Sequence, residues 1–153
     1  MEISKRGVDL IKSFEGCRLS AYRDYVGVLT IGYGHTRGVT EGMVITQEKA
    51  DALLLADLDR FEQNVNSWNY IYNWSQNEFD ALVSFAFNIG SIDQLTGLGK
   101  RDKSVIADKM LMYCHGGGQT LAGLKRRREV ERALFLEDDV SLSDEIIISL
   151  GGK

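Results

Sequence analysis

The sequence predicts an α+β fold in which a long helix joins a small β-lobe, a hairpin or meander, to a larger, mainly helical lobe. Three observations predict it: a short segment rich in tyrosine, glycine and β-branched residues, a long amphipathic segment after it, and a nearly uninterrupted apolar segment further along. We expect one domain over residues 1–139. Its β-lobe covers about residues 17–45, and its helical lobe covers about residues 60–139 together with an N-terminal helix.

Helical and extended patterns alternate in the first half of the chain. Apolar residues at helical spacing predict a helix over Ser4–Phe14, which Gly16 ends in the left-handed conformation. The segment Leu19–Gly34 predicts a β-hairpin with a turn around Asp24–Gly27. Thr46 is the predicted N-cap of the long helix, whose apolar stripe comprises Ala50, Leu53, Leu54, Leu58, Phe61 and Val65.

The second half of the chain predicts three further helices. Ser75–Glu78 forms a capping box, and the following segment Phe79–Ile89 is apolar almost all round, which is typical of the buried centre of a helical bundle. Periodicity predicts helices over about Ser104–Tyr113 and Leu121–Leu136. Residues 140–153 form an acidic and apolar C-terminal tail.

Composition and charge narrow the classes of protein that fit. Hydrophobic residues make up 44% and charged residues 26% of the chain, which is typical of a soluble globular domain. A formal charge of −4 argues against a protein whose main task is to coat nucleic acid. The charge is uneven: it is −5 over residues 1–99, +5 over residues 100–136 and −4 over residues 137–153.

The sequence shows no pattern typical of a secretion signal, a membrane-spanning helix or a metal-binding motif. No apolar segment follows the N-terminus as in a secretion signal, and no apolar run approaches the roughly 20 residues of a membrane-spanning helix. Cys17 and Cys114 have no metal-motif spacing, so we expect two reduced thiols, with a disulfide as the alternative. We therefore expect no metal and no stable membrane anchor.

Three side chains near the predicted hairpin form the strongest candidate site. Glu15 lies at the C-terminal end of the first helix, where the dipole disfavours a negative charge. Asp24, beside Arg23 in a polar turn, should stay ionised, and Thr30 supplies a hydroxyl that can position a water. Glycoside hydrolysis typically needs one protonated and one ionised carboxyl. Taken singly, each residue is more typical of a solvated surface group.

The sequence around these residues resembles a known family. Glu15, Asp24 and Thr30, followed by IGYGHT at positions 31–36, are similar to the pattern of the phage lysozymes, or endolysins, of glycoside hydrolase family 24. The resemblance covers roughly residues 4–136. Two later segments support it in the family's order: Ala81–Gly90, and Gly123-Leu124 followed by Arg127, Arg128 and Glu131.

The resemblance implies a lysozyme fold that hydrolyses the β-1,4 bond between N-acetylmuramic acid and N-acetylglucosamine in bacterial peptidoglycan, causing host cell lysis. It implies that Glu15 is the general acid and that Asp24 and Thr30 hold or activate the attacking water. It favours inversion of the anomeric centre, with retention as the alternative that the separation of the two carboxyl groups would distinguish. It implies no cofactor. We expect a monomer that binds glycan strands and no nucleic acid, and that stays in the host bacterial cytoplasm until a membrane lesion releases it.

Four further residues are candidates for substrate binding or support. His35 is expected to hydrogen-bond Asp57, as a structural tie between the lobes rather than a catalytic pair. Asn88 either lines the glycan cleft or makes a local hydrogen bond at its helix end. Arg127 or Arg128 resembles the family arginine that faces the catalytic glutamate, with a solvated charged face as the alternative.

Departures from the family pattern concern turns. Tyr25 follows Asp24 where relatives often carry proline, and Ala122 occupies a similar position before Gly123, so both turns are expected to be less rigid.

Three other functions stay open. They are a peptidoglycan-binding module without hydrolysis, which the complete set of site residues argues against, a lytic transglycosylase, and a nucleic-acid binder that uses Lys125–Arg128.

Overall fold

The structure is a computed structural model that describes residues 1–116 and 120–137. Within these residues the predicted α+β class is confirmed, and the tail predicted over residues 140–153 lies outside them. None of the helices in the described part is long and apolar enough to cross a membrane. The elements are α1 (Lys5–Glu15), β1 (Arg18–Arg23), β2 (Leu29–Gly32), α2 (Gln47–Asn66), α3 (Asn69–Tyr72), α4 (Gln76–Ile89), α5 (Lys103–Met110) and α6 (Leu121–Leu136).

The chain divides into two compact units. The unit that we call the sheet unit is Glu15–Asp59, and it contains both strands and the first part of α2. The unit that we call the helical unit comprises Met1–Phe14 and Arg60–Lys153. One division between the units therefore falls within the long helix α2. The single domain over residues 1–139 stays a prediction.

The sheet unit is built on the predicted hairpin. Strands β1 and β2 pair in antiparallel register, with Tyr22 opposite Thr30 and an irregularity nearer the start of β1. Gly16 has a φ of +67°, so the predicted left-handed end of the first helix is confirmed. The hydroxyl of Thr46 accepts from the Lys49 amide at 3.1 Å, which confirms the predicted N-cap of α2.

The helical unit has α4 at its centre. Both hydrogen bonds of the predicted capping box are present: the Ser75 amide donates to Glu78 at 2.9 Å, and the Glu78 amide donates to Ser75 at 3.1 Å. Most of α4 is buried, and its packing partner is α6. The buried residues of α4 are not all apolar. Asp80 and Ser84 are also fully buried, and each is hydrogen-bonded.

Two details of the helical unit differ from the prediction. Helix α5 ends at Met110 rather than near Tyr113, because the amides of residues 111–113 bond to carbonyls three residues earlier, as in tight turns. Helix α3 was not predicted. It is a single short turn that ends at Tyr72 and is capped by Asn73, whose φ is +51°.

A buried carboxyl anchors the N-terminal end of α1 to α4. Asp80 accepts hydrogen bonds from the Ser4 amide at 2.9 Å, from the Ser4 hydroxyl and from Gln76 at 2.8 Å. A Cβ on Gly7 would lie 2.9 Å from the Asp80 Cγ, so this close approach requires glycine. Burial raises the pKa of Asp80 above its ordinary value, and the bonds from Ser4 and Gln76 oppose this rise.

We expect Asp80→Asn to change the pH dependence of stability. Because folded Asp80 keeps its proton to a higher pH than the unfolded chain, the folded state binds more protons in that window. The Asp80 contribution to the free energy of unfolding therefore falls as pH rises from about 4 through the raised pKa. Urea titrations at a series of pH values should show the wild type losing stability relative to Asp80→Asn across that window. A pH-independent difference would contradict this prediction.

Candidate active site

Glu15 is half-buried at the C-terminal end of α1. Its Oε1 lies 3.6 Å from the position that a Cβ on Gly34 would occupy. Gly34 belongs to a tight turn in which Ile31 and His35 exchange two backbone hydrogen bonds of 2.9 Å. Gly34 has a φ of +81°, which residues other than glycine rarely adopt. The turn therefore favours glycine at the position that the Glu15 carboxyl approaches.

Asp24 occupies the turn of the hairpin, and the turn fixes its carboxylate. Its Oδ1 accepts from the Val26 amide at 3.0 Å and from the Val28 amide at 2.8 Å. Its own amide donates to the Val28 carbonyl at 2.9 Å, and its carbonyl accepts from the Gly27 amide at 2.9 Å. One carboxylate oxygen thus accepts from two backbone N–H groups, which fixes the position of the carboxylate in the turn.

The Arg23 guanidinium also forms hydrogen bonds that hold the same turn. It donates to the Gly27 carbonyl at 2.9 Å and to Glu41 at 2.8 Å. Both Arg23 and Glu41 are largely exposed, so their ion pair contributes little stability by itself. Its effect is geometric, because it joins the hairpin turn to the segment that follows β2.

Thr30 lies on β2 and is 4% exposed. Its hydroxyl donates to the Val28 carbonyl at 2.9 Å, and the hydroxyl oxygen keeps lone pairs that can accept a further hydrogen bond. The same Val28 carbonyl accepts from the Asp24 amide. A single peptide group therefore holds Asp24 and Thr30 together, and the sequence pattern gave no sign of this shared partner.

The predicted hydrogen bond between His35 and Asp57 is confirmed, with Nδ1 2.8 Å from Oδ2. The Nε2 of His35 donates to the Arg37 carbonyl at 2.7 Å, so both ring nitrogens are engaged. His35 and Asp57 both belong to the sheet unit. The interpretation of this pair as a tie between the lobes is therefore wrong, because it joins the turn after β2 to α2 within one unit.

Arg127 and Arg128 are buried in the helical unit, so the solvated face proposed as an alternative is wrong for both. The Nε atoms of both arginines lie 3.1 Å from carboxylate oxygens of Glu131. Arg127 also donates to the Ser84 carbonyl at 3.0 Å, and the Ser84 hydroxyl donates to Glu131 at 2.6 Å. The expected approach of one arginine to the catalytic glutamate stays a prediction.

Asn88 belongs to the same buried network. Its Oδ1 accepts a hydrogen bond from Nη2 of Arg128, so this bond joins α4 to α6 rather than closing the end of its own helix. A role of Asn88 in lining a glycan cleft stays a prediction. Ser84 and Glu131 were missed as network members, although Glu131 falls three and four residues after the two arginines, which is the spacing of neighbours on a helix.

Metal ligation has no support in the part of the chain that the structure describes, since no three His, Cys, Asp or Glu side chains are grouped there to hold an ion. Cys17 and Cys114 are both half-buried free thiols.

Comparison with known proteins gives one consistent result. The phage lysozyme family matches residues 12–131. The endolysin of Lactococcus phage c2 is 42% identical over 139 residues, covering 88% of this chain and 60% of that protein. Two solved structures each give a TM-score of 0.78. The first is the muramidase domain of SpmX from Asticaccaulis excentricus, which is 41% identical and covers 90% of this chain and 99% of that one. The second is an endolysin from Escherichia coli O157:H7 phage FAHEc1, which is 38% identical and covers 94% of this chain and 98% of that one.

Most glycoside hydrolases use two carboxyl groups that lie in different surroundings. Here Glu15 is half-buried at a helix end, whereas the Asp24 carboxylate accepts hydrogen bonds from backbone amides in a turn. With the match over residues 12–131, the chain belongs to the phage lysozyme family, and its lysozyme-like fold is confirmed. The chain spans 60% of the length of the first curated relatives that it matches.

Proposed function

We propose that the chain is an endolysin that hydrolyses the β-1,4 bond between N-acetylmuramic acid and N-acetylglucosamine in peptidoglycan. The observation that carries the proposal is the Val28 carbonyl shared by Asp24 and Thr30, within the same compact unit as Glu15. The Asp24 amide and the Thr30 hydroxyl both donate to that carbonyl, and the Asp24 carboxylate is itself held by the Val26 and Val28 amides. The carboxylate and the hydroxyl therefore form a fixed pair of acceptors, and such a pair can orient a water molecule. Family membership supports the same chemistry.

In this mechanism Glu15 is the general acid. Its protonated carboxyl donates to the glycosidic oxygen as the bond to the anomeric carbon breaks. Gly34 leaves one face of the carboxyl without a side chain, which gives the leaving sugar room beside Oε1. Asp24 stabilises the developing positive charge on the sugar ring and, with Thr30, directs a water to the anomeric carbon. Attack from the face opposite the leaving group inverts the configuration, which is the outcome that we propose.

Product analysis tests hydrolysis against the two alternatives for this site. Purified peptidoglycan treated with the protein should yield reducing N-acetylmuramic acid ends, detected by mass spectrometry. Anhydro-muramyl ends would instead indicate transfer to an internal hydroxyl, as in a lytic transglycosylase. Binding without new ends would indicate a peptidoglycan-binding module. In 18O-labelled water, hydrolysis should place one labelled oxygen at each new reducing end.

The cell wall is the proposed place of action, and glycan strands are the proposed partner. We propose that a monomer stays in the host cytoplasm until the membrane is breached, in keeping with the endolysin function proposed above. Turbidity clearing should then require permeabilised cells. Clearing of intact cells by added protein at the same rate would contradict this part of the proposal.

We expect Gly34→Ala to reduce hydrolysis about tenfold. The new methyl would lie 3.6 Å from Oε1 of Glu15 and would occupy the space proposed for the leaving sugar. The matched control is Gly38→Ala, because Gly38 also has a positive φ, +71°, but no atom lies within 4 Å of its added Cβ. Both variants should lose about 1–2 kcal/mol of stability from backbone strain. Equal activity of the two variants would contradict the role given to Gly34.

A further inference from the structure

The tip of the hairpin presents apolar side chains to solvent. Tyr25 is 70% exposed, Val26 is 63% exposed and Val28 is 43% exposed. Val44, on the segment that bridges to β1 through Ser20, is 72% exposed. A grouping of exposed apolar residues on a short turn is typical of a contact surface rather than of a turn that only reverses the chain.

The turn that carries Tyr25 is rigid. Five hydrogen bonds of 2.8–3.0 Å hold its backbone: two to the Asp24 carboxylate, two between the backbone groups of Asp24, Gly27 and Val28, and one from Arg23. The backbone of such a turn has little conformational freedom left to lose when a ligand binds. The Asp24 carboxylate thus holds the backbone on which Tyr25 stands.

The ring of Tyr25 has no partner among the described residues, either as a hydrogen bond or as a ring contact. Several other tyrosines differ in this respect. Tyr22 packs against Arg18, Tyr33 accepts from Gln47, and Tyr72 donates to the Arg101 carbonyl. Tyr25 therefore presents an exposed aromatic ring without a partner among the described residues, on a fixed backbone and directly after Asp24 in the chain.

We propose that Tyr25 is a sugar platform, on which one pyranose ring of the glycan strand packs beside Asp24. This proposal rests on the proposed function. A pyranose ring has an apolar face of C–H groups, which matches the electron-rich face of an aromatic ring and excludes water from both. Val26 and Val28 extend the apolar surface and suit the methyl of an N-acetyl group. Because the ring follows Asp24 directly, sugar packed on it is held next to the water-directing carboxylate.

The test separates sugar binding from bond cleavage. On soluble glycan strands without peptide stems, Tyr25→Ala should raise KM about tenfold and change kcat less than about twofold, because the ring binds sugar and does not touch the breaking bond. Tyr25→Phe should keep the wild-type KM, since the platform needs the ring and not the hydroxyl. Tyr70→Ala is the matched control, because Tyr70 is 83% exposed and lies on α3 in the helical unit, and it should leave KM unchanged.

Direct binding distinguishes failure of this proposal from failure of the proposed function. The Kd of the same glycan strands is measured by calorimetry for Glu15→Gln, with and without Tyr25→Ala. A tenfold weaker Kd with Tyr25→Ala supports the platform even if the wild type cleaves nothing. Unchanged KM and Kd in Tyr25→Ala, or no glycan binding by any variant, would overturn it. If the protein sediments as a dimer, and Tyr25→Ala loses that dimer while its Kd for glycan strands is unchanged, the tip of the hairpin binds a second copy of the chain. That result would also overturn the platform proposal.

Discussion

Replacing Glu15 by glutamine should lower the rate of peptidoglycan hydrolysis by about three orders of magnitude. The amide matches the carboxyl in size and can still occupy the space beside Gly34, but it has no acidic proton to transfer to the glycosidic oxygen. The substitution keeps the size of the side chain and removes a negative charge from the C-terminal end of α1, where the helix dipole disfavours it, so the fold should be unchanged. Clearing of permeabilised bacteria and release of reducing ends measure the loss.

Glu48→Gln is the matched control for this experiment. Glu48 is an exposed glutamate in the first turn of α2, within the same sheet unit, and its replacement makes the same chemical change away from the site. It should retain wild-type activity, with a stability change of a few tenths of a kcal/mol from the helix dipole. Activity of Glu15→Gln equal to that of Glu48→Gln would remove Glu15 from the role of general acid.

Elements whose ends have strong local signals were predicted well from the sequence. The start of α4 is fixed by reciprocal bonds between Ser75 and Glu78, and the start of α2 by Thr46, so short-range chemistry alone decides them. The end of α5 was predicted three residues too far. Residues 111–113 keep bonding to nearby carbonyls in tight turns, and no glycine or proline marks the change.

The candidate site was predictable as a set of residues, but the way that the residues are held was not. Asp24 and Thr30 could be recognised by their pattern, whereas their common bond to the Val28 carbonyl depends on the register of the hairpin. Long-range pairs were also hidden. Asp80 anchors Ser4 across 76 residues of sequence, and no local pattern encodes such a contact. The pair of His35 and Asp57 was predictable because a histidine is commonly paired with a carboxylate, and the structure confirms the hydrogen bond.

The largest stability effect should come from Glu131→Gln, which should lower the free energy of unfolding by about 3–5 kcal/mol. Glu131 is fully buried and faces two buried guanidinium groups, those of Arg127 and Arg128. An isosteric amide removes the negative charge and directs N–H groups towards a donor. Urea denaturation measures the change. Glu129→Gln, an exposed neighbour on the same helix, is the matched control and should stay within about 0.5 kcal/mol of wild type.

A second variant identifies the cause of this loss. If uncompensated charge is responsible, removing one guanidinium along with the carboxylate, in Arg128→Met with Glu131→Gln, should recover part of the stability. If the loss instead reflects packing, the double variant should be less stable than Glu131→Gln, because the Arg128 side chain also covers the Phe85 ring with its guanidinium 4.9 Å from the ring centre. A loss below about 1 kcal/mol in Glu131→Gln alone would mean that solvent or other groups already neutralise the two arginines.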